Sequence, residues 1–363
     1  MCKKIFVAAT GQHCGKTTTS LSLIHLARRK FQRVGFIKPI GPKLASFRGR
    51  DVDVDAALIA QIYGMEDDLE YMSPVVIHPH TTRDVLEGKI KSSTMLRQIK
   101  AAVAVLEKKC DFLIIEGAGH AGVGAVVGLS NASIAAELGA PVLLVAGGGV
   151  GSVIDDISLN LALFREAGAE VRMVLPNKLI EEKRERTLRY LQLAFKNEKF
   201  QVVGGFNYSP VLADPPMNHL ADLLGLELKG TEEQAAQIVH HVQLGAAAAQ
   251  RVVDILMPST LLIVTSSRDE LLVMISTLYH LPEFQPKIAG LLITGVSPVA
   301  DIVQRVLDDA GIPYMRTELT TAQAFTEINE YVSKIRVEDL EKIALVQRLA
   351  ETELSFETIE QIF

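Results

Sequence analysis

The chain has 363 residues, of which 48% are hydrophobic and 22% charged, and this composition excludes an intrinsically disordered protein. No run of eighteen apolar residues occurs, and the apolar stretch at 5–9 is too short for a signal peptide. The three cysteines follow neither a disulfide framework nor a metal-binding spacing. We therefore expect a cytoplasmic protein of two or three domains that does not insert into a membrane.

The formal net charge of −6 is divided unevenly along the chain. Residues 1–204 carry 27 Lys and Arg against 21 Asp and Glu, whereas residues 205–363 carry 10 against 22. A mildly basic first part suits a small polyanionic ligand, and the acidic second part disfavours nucleic acid. The change of charge also predicts a domain boundary near residue 205.

The first half alternates apolar runs with long amphipathic segments, which is typical of a mostly parallel α/β sheet with helices on both faces. The predicted strands are 4–9, 33–38, 112–116, 142–146, 171–175 and 201–206, and the predicted helices are 17–29, 55–63, 92–109, 134–138, 153–167 and 181–195. A second, smaller α/β alternation has predicted strands 261–265, 288–294 and 314–317, with helices 245–256, 269–279, 299–310 and 321–331. These patterns predict domains over 1–225 and 226–336 and a helical tail over 337–363.

The strongest functional signal is the segment 8–19, which reads Ala-Ala-Thr-Gly-Gln-His-Cys-Gly-Lys-Thr-Thr-Thr between a strand and a helix. A glycine-bearing loop at a helix start lets backbone N–H groups surround a phosphate chain. Lys16 would reach the β- and γ-phosphates, and the Thr17 hydroxyl would ligate Mg²⁺. The usual pattern has glycine six residues before the lysine, where this chain has Thr10. The residues predicted to bind the nucleotide here are Gly11, Gln12, His13, Cys14, Gly15, Lys16, Thr17 and Thr18.

Further charged residues stand at predicted element ends. Lys38 closes the second strand, and the proline after it directs the lysine to the edge where ligands of open α/β sheets bind. Asp53 and Asp55 precede a helix, where a carboxylate either caps the helix or ligates Mg²⁺; we favour Asp55 as ligand and keep Asp53 as the alternative. Glu116 ends a buried strand before a glycine-rich stretch and is predicted to ligate the metal or orient a water.

These motifs occur in the order found in dethiobiotin synthetases, and residues 3–225 resemble that family of P-loop proteins. The matching segments are Gly15-Lys16-Thr17, Lys38-Pro39, Asp55-Ala56 and Glu116-Gly117-Ala118-Gly119. The resemblance implies that the ligands are ATP and Mg²⁺ and that the protein is a homodimer or a larger homo-oligomer. It also implies site roles for Lys16 and Lys38 at the phosphates and reacting centre, Thr17, Asp55 and Glu116 at Mg²⁺, Asn177 at the base, and His80, Gly119 and His120 near a small-molecule substrate.

The second half resembles a DRTGG domain. Its signals are Ser266-Ser267-Arg268-Asp269 after one strand and Thr294-Gly295 after the next, although Val296 stands where a second glycine is expected. The order of the two domains is similar to the N-terminal regulatory portion of long bacterial phosphotransacetylases, whose acetyltransferase domain we expect this chain to lack. The alternative for this half is a module that only packs and oligomerises.

Three functions stay open from the sequence. The first is an ATP-dependent synthetase that activates a carboxylate or carbamate by phosphorylation. The second is a nucleotide-sensing regulatory protein that acts on a partner enzyme. The third is an amidating enzyme similar to cobyrinate diamide synthase, which would use free ammonia because no cysteine follows Cys110 to hydrolyse glutamine.

Overall fold

The computed structural model describes residues 2–363 and divides them into two compact units. The first unit takes the residues up to Tyr208 together with Arg336–Phe363, and the second is Ser209–Ile335. This division differs from the predicted boundaries. Met217 and Leu220 belong to the core of the second unit, and Val346 is buried in a segment that returns to the first.

The first unit is built on a parallel sheet with the strand order β10-β9-β8-β1-β7-β2. Every residue of β7 and β8 is buried, which requires cover on both faces of the sheet because side chains alternate between them. A parallel pair, β3 and β6, and an antiparallel hairpin, β4 and β5, stand outside this sheet. The strands are β1 (Lys3–Ala9), β2 (Val34–Ile37), β3 (Ile40–Gly41), β4 (Leu44–Phe47), β5 (Arg50–Asp53), β6 (Val75–Val76), β7 (Phe112–Glu116), β8 (Val142–Ala146), β9 (Val171–Pro176) and β10 (Gln201–Val202).

Helices connect these strands and supply the apolar cover. The long helix α5 buries Met95, Ile99 and Leu106 along one face, as its spacing of apolar residues requires. The helices are α1 (Lys16–Ala27), α2 (Val54–Tyr63), α3 (Leu69–Met72), α4 (Thr81–Leu86), α5 (Ser92–Lys109), α6 (Asn131–Glu137), α7 (Gly151–Ala167) and α8 (Arg184–Ala194). The predicted doubly covered parallel sheet is thus confirmed.

The second unit is a smaller α/β domain, as predicted, with the strand order β11-β15-β14-β13-β12. Only the β11–β15 pairing among them is antiparallel. Its elements are α9 (Pro210–Ala213), α10 (Met217–Leu224), β11 (Leu228–Lys229), α11 (Glu232–Ala236), β12 (His241–Leu244), α12 (Ala249–Asp254), β13 (Thr260–Thr265), α13 (Asp269–Tyr279), β14 (Ile288–Thr294), α14 (Asp301–Ala310), β15 (Tyr314–Arg316) and α15 (Thr321–Glu330). The helix predicted at 245–256 was too long, because 245–248 form a turn.

After the second unit the chain returns to the first with α16 (Leu340–Glu353) and α17 (Phe356–Glu360). Helix α16 packs against α1. Phe356 lies edge-on to Phe112, with ring centroids 5.9 Å apart, and Phe363 stands 4.8 Å from the same ring. The predicted helical tail is therefore part of the first unit's core. No helix among the described residues is long and apolar enough to cross a lipid bilayer.

Candidate functional site

The strand order brings the predicted site segments to one edge of the first sheet. β1 pairs with β7, and β7 pairs with β2, all in parallel. Because parallel strands share the direction of their carboxyl ends, the loop after β1, Glu116 at the end of β7 and Lys38 after β2 meet at the same edge.

The loop after β1 has the geometry of an anion-binding turn. Gly15 caps α1 with a φ of 94°, a left-handed conformation that glycine adopts without strain. A Cβ at Gly15 would lie 2.1 Å from Nδ2 of Asn177, so both the backbone angle and the space require glycine there. No side chain hydrogen-bonds as a cap at this helix start and its first turn has no acidic residue, which leaves backbone N–H groups for a phosphate. Gly11 is not required in the same way, since its Cβ would make only ordinary contact with Cys14.

Lys16 is buried and turns back along the loop, where its Nζ donates to the Gly11 carbonyl at 3.4 Å. Burial lowers the pKa of Lys16 below its ordinary value, while the charge of Glu116 opposes that shift and the charge of Lys38 adds to it. The Gly11 carbonyl that accepts this hydrogen bond is neutral. A phosphate at this position would give the buried ammonium group an anionic partner.

Lys38 bridges two buried carboxylates. Its Nζ lies 2.7 Å from Oδ2 of Asp55 and 2.6 Å from Oε1 of Glu116. Lys38 is 3% exposed and Glu116 is completely buried. Desolvation lowers the pKa of Lys38, but Glu116, Asp55 and Asp53 raise it by more, so it lies above the ordinary value and the group stays charged.

The second carboxylate oxygen of Glu116 is suited to ligate a metal ion. Glu116 Oε2 is buried and has no hydrogen-bond partner among the described residues, which is costly for a carboxylate oxygen. Thr17 lies beside it, with its Oγ1 donating to Glu116 Oε1 at 3.4 Å. The described residues contain no cluster of three His, Cys, Asp or Glu able to hold a metal. A site with so few carboxylate ligands, such as the one beside Glu116, suits Mg²⁺, because that ion is usually held by one or two carboxylates together with phosphate oxygens and waters.

Asp53 and Asp55 have different surroundings. The Asp53 carboxylate caps α2, accepting from the N–H of Asp55 at 2.9 Å, and Gly41 packs against its Cβ. Burial raises the pKa of Asp53 to about 6, with Lys38 acting in the opposite direction. Asp55 instead faces Lys38, in the cluster with Glu116. This arrangement favours Asp55 over Asp53 as the metal ligand, an assignment that stays a prediction.

Asn177, predicted to read the base, lies beneath the phosphate loop. Its Nδ2 donates to the Cys14 carbonyl at 2.9 Å, and its Oδ1 accepts from the N–H of Phe206 at 3.2 Å. The amide thus supports the loop in this structure, and base recognition stays a prediction. The other loop side chains predicted to bind nucleotide differ in exposure: Gln12 and His13 are exposed, and Cys14, Thr17 and Thr18 are half-buried.

The predicted substrate residues lie in separate loops. His80 is exposed at the start of α4, with its ring stacked 5.6 Å from His78. His120 is exposed, and its Nδ1 accepts from the N–H of Gly122 at 3.1 Å. Gly119 has a φ of 63° and no room for a Cβ, which makes it a structural glycine of this loop. None of the hydrogen bonds described for these residues reaches the Lys38 cluster.

Sequence reasoning missed two asparagines that fix the site loops. Asn131 donates to the Ala118 and His120 carbonyls at 2.5 and 2.6 Å. Asn160 donates to the Thr10 carbonyl at 3.1 Å and accepts from the N–H of Ala121 at 2.8 Å. Asparagine within an apolar helix pattern is the signal that could have identified them, since a buried amide needs partners.

Known proteins match both parts of the chain. A family model described as an AAA domain matches residues 3–220, and a DRTGG domain model matches residues 219–331. The phosphate acetyltransferase of Nitratidesulfovibrio vulgaris is 26% identical over 352 residues, which cover 94% of this chain and 49% of that protein. The ATP-dependent dethiobiotin synthetase of Methanocaldococcus jannaschii is 28% identical over 177 residues, covering 48% of this chain and 78% of that protein.

The chain spans about half the length of the phosphate acetyltransferases it matches. Both predicted domain types, and their order, are confirmed by these matches.

Among solved structures, the MinD cell division protein of Aquifex aeolicus has a TM-score of 0.35 at 15% identity, covering 58% of this chain and 84% of that protein. A likeness of that size supports no conclusion about function.

Proposed function

The chain belongs to the AAA domain family, and from that premise we propose that its first unit binds ATP with Mg²⁺ and transfers a phosphoryl group to a carboxylate or carbamate. The observation that carries the proposal is the buried Lys38 between Asp55 and Glu116, next to the phosphate loop. Burying three charged groups at one sheet edge costs desolvation free energy, and such clusters are typical of functional sites. The similarity to an ATP-dependent dethiobiotin synthetase supports the same assignment.

The site has a suitable set of donors for Mg²⁺. Thr17, Asp55 and Glu116 would hold the ion, with the unpartnered Oε2 of Glu116 as its most available oxygen. When bound, Mg²⁺ would neutralise negative charge on the β- and γ-phosphates. The carboxylates then gain a second cation, and Lys38 no longer has to balance both of their charges alone.

Lys38 acts in this proposal as a fixed positive charge. Because its pKa lies above the ordinary value, the ammonium group cannot take a proton from an attacking nucleophile. It can donate hydrogen bonds to oxygens on which negative charge develops as the phosphoryl group moves. Lys16, at the start of α1, would instead bind the phosphates of the ground state.

A nucleotide sensor is the second candidate function. The observation that favours it is the match of the two-unit chain to phosphate acetyltransferases over 94% of its length. In this alternative ATP occupies the same phosphate loop, and its binding regulates a partner enzyme without turnover of a small substrate. A homodimer or larger homo-oligomer is part of both proposals.

Thermal-shift titration tests ATP binding. The unfolding midpoint of the wild-type protein should rise with ATP concentration in the presence of Mg²⁺, because a ligand of the folded state stabilises it by mass action. Lys16→Ala should weaken ATP binding by about 1.5–3 kcal/mol through the loss of charged hydrogen bonds. Lys91→Ala, which removes an exposed lysine before α5, is the matched control and should leave the titration unchanged. No shift at millimolar ATP with Mg²⁺ would reject both candidate functions.

Turnover separates the two candidates. Phosphate release is measured with a panel of carboxylates and amines, with wild-type protein and with Lys38→Ala. For the enzyme, Lys38→Ala should lower turnover roughly 100- to 1000-fold while largely retaining ATP binding. For the sensor, the wild-type protein should release no phosphate with any member of the panel. Equal loss of ATP affinity in Lys16→Ala and Lys38→Ala would contradict the different roles given to the two lysines.

A further inference from the structure

Two thiols that are distant in sequence lie in contact in the first unit. The Sγ atoms of Cys2 and Cys110 are 3.4 Å apart. Cys2 is half-buried, so solvent reaches it, and Cys110 is buried beside it. A disulfide needs an S–S distance of about 2.05 Å, so the two sulfur atoms must approach by about 1.4 Å.

The backbone holds both cysteines in place. The N–H of Lys3, next to Cys2, donates to the carbonyl of Asp111, next to Cys110, at 2.9 Å. The N–H of Cys110 also donates to the Leu106 carbonyl at 2.9 Å, at the end of α5. On the other side, a Cβ at Gly35 would lie 3.0 Å from the Cys110 sulfur, so that sulfur is closely packed against β2. The sulfur atoms can therefore approach each other by rotation of the two cysteine side chains, without movement of the strands.

The contact makes the two thiols chemically unequal. The hydrogen bond with Cys110 lowers the pKa of Cys2, and nearby Lys4 lowers it further, while burial and two acidic neighbours oppose the shift. The same bond, with burial, raises the pKa of Cys110. Cys2 is therefore the sulfur that an oxidant meets first, both by exposure and by its larger thiolate fraction.

We propose that Cys2 and Cys110 form a peroxide-sensitive dithiol that closes reversibly into a disulfide across the amino ends of β1 and β7. The Cys2 thiolate attacks a hydroperoxide oxygen, which breaks the O–O bond, gives a sulfenic acid and, with hydrogen peroxide, releases one water. Cys110 then attacks the Cys2 sulfur, and the sulfenic hydroxyl leaves as a second water with the Cys110 proton. Two electrons pass from the two sulfurs to one peroxide.

Cys14 provides an internal comparison. It lies in the phosphate loop, where its sulfur contacts Thr10 Oγ1 and the Gln12 carbonyl, both at 3.6 Å. In the described part of the chain no second thiol lies in contact with it. Peroxide at Cys14 therefore has no intrachain route to a disulfide, and Cys14→Ser gives a background in which only the proposed pair can react.

The test is peptide mapping of the full chain carrying Cys14→Ser, treated with hydrogen peroxide, alkylated and digested without reductant. The expected result is a peptide pair joined through Cys2 and Cys110, two hydrogens lighter than the separate peptides, that is lost on treatment with dithiothreitol. With Cys110→Ser added, the linked pair should be absent and Cys2 should carry sulfenic or sulfinic acid. Cys2→Ser should prevent linkage as well and leave Cys110 reduced.

Two outcomes would overturn the proposal. One is complete alkylation of both cysteines after peroxide treatment of the folded Cys14→Ser protein. The other is a Cys2 that oxidises to sulfinic acid while Cys110 remains a free thiol, since a contacting partner should capture the sulfenic acid first. Neither outcome depends on nucleotide binding, so the proposal stands or fails separately from the proposed function.

Discussion

Buried amides hold the loops of the candidate site in place. Asn131, Asn160 and Asn177 lie on or next to three different elements, and each is bonded to the backbone of a loop at the sheet edge. Loops cannot satisfy all of their backbone groups by regular hydrogen bonding, so a buried loop needs side-chain partners. These residues therefore position the ligand-binding backbone without having to touch a ligand.

Asn160→Ala should destabilise the first unit by about 1–3 kcal/mol, because the buried N–H of Ala121 and carbonyl of Thr10 lose their partner. Urea unfolding at constant pH measures the change. Ser158→Ala, on the exposed side of α7, is the control and should change stability by less than about 0.5 kcal/mol. Equal effects of the two substitutions would show that Asn160 does not hold the loops.

A tyrosine at the end of α2 joins three helices. The Tyr63 hydroxyl donates to the Leu21 carbonyl of α1 at 2.8 Å and is also hydrogen-bonded to Gln347 of α16. Burial raises the pKa of Tyr63 to about 12, against smaller effects of Gln347 and Arg28. The unfolded chain releases this proton near pH 10 and the folded chain near pH 12, so folding stability falls as the pH rises through that window.

Tyr63→Phe removes this alkaline dependence along with the hydrogen bond. Below pH 10 the variant should be less stable than wild type by about 1 kcal/mol. Between pH 10 and 12 the difference should shrink, because only the wild type loses stability from ionisation at this position. Unfolding curves from pH 8 to pH 12 provide the measurement, with Tyr190→Phe, an exposed tyrosine of α8, as control. A difference that stays constant with pH would contradict the assignment.

At the scale of elements, the helix pair α1 and α16 links the phosphate loop to the end of the chain. α1 begins at Lys16 in that loop, and α16 covers its outer side with buried Val346 and Ala350. Polar contacts of Glu351 border the interface, a hydrogen bond with the His25 ring at 2.8 Å and an ion pair with Arg29 at 3.0 Å. Exposed ion pairs contribute little to stability, so apolar packing should hold α16 on α1.

Val346→Ala should therefore lower the free energy of unfolding by about 2 kcal/mol, through lost burial and the cavity left behind. Glu351→Ala, which removes the ion pair with Arg29 and the hydrogen bond with His25, should have a much smaller effect, and the ionic part of that effect should diminish with added salt. Chemical denaturation at low and high salt compares the two. A larger loss for Glu351→Ala would show that charge, rather than packing, fixes α16.

At the scale of the whole molecule, the second unit interrupts the first along the chain. The returning segment is acidic, with seven Asp and Glu against three Lys and Arg, and it leaves the first unit with 30 basic and 28 acidic residues. The second unit carries 7 basic and 15 acidic residues. The charge division seen along the sequence is therefore weaker in the folded units, because the segment 336–363 packs with the basic part.

This arrangement predicts how fragments should behave. Residues 209–335 contain a complete five-stranded sheet with its own apolar core, so that fragment should melt cooperatively on its own. Residues 2–208 lack α16 and α17, which leaves part of α1 and the ring of Phe112 uncovered, so this fragment should melt below the full chain or aggregate. Circular dichroism melting checks both. A fragment 2–208 as stable as the full chain would contradict the structural role of the returning segment.

The sequence by itself determined the sheet type and most of the residues at the candidate site. Apolar strands separated by amphipathic helices are local patterns, and they predicted all six strands of the main sheet. Parallel strands share one carboxyl edge, so Lys16, Lys38 and Glu116 could be assigned to that edge from their positions after strands. The helix start at 249 and the two edge strands β11 and β12 were not predicted, because short half-exposed segments carry little periodicity.

Tertiary structure alone decided which of these groups touch. Lys38 joins Asp55 to Glu116 because β2 lies beside β7 in the sheet. The order of the strands cannot be predicted from the local spacing of apolar residues. The same holds for Asn160 on the phosphate loop, for Cys2 against Cys110, and for α16 on α1. These contacts join residues from 17 positions apart, for Lys38 and Asp55, to 150 apart, for Asn160 and Thr10, and the α1–α16 contact spans the whole second unit. Their encounter depends on how apolar surfaces pack across the entire unit, which a short window of sequence does not contain.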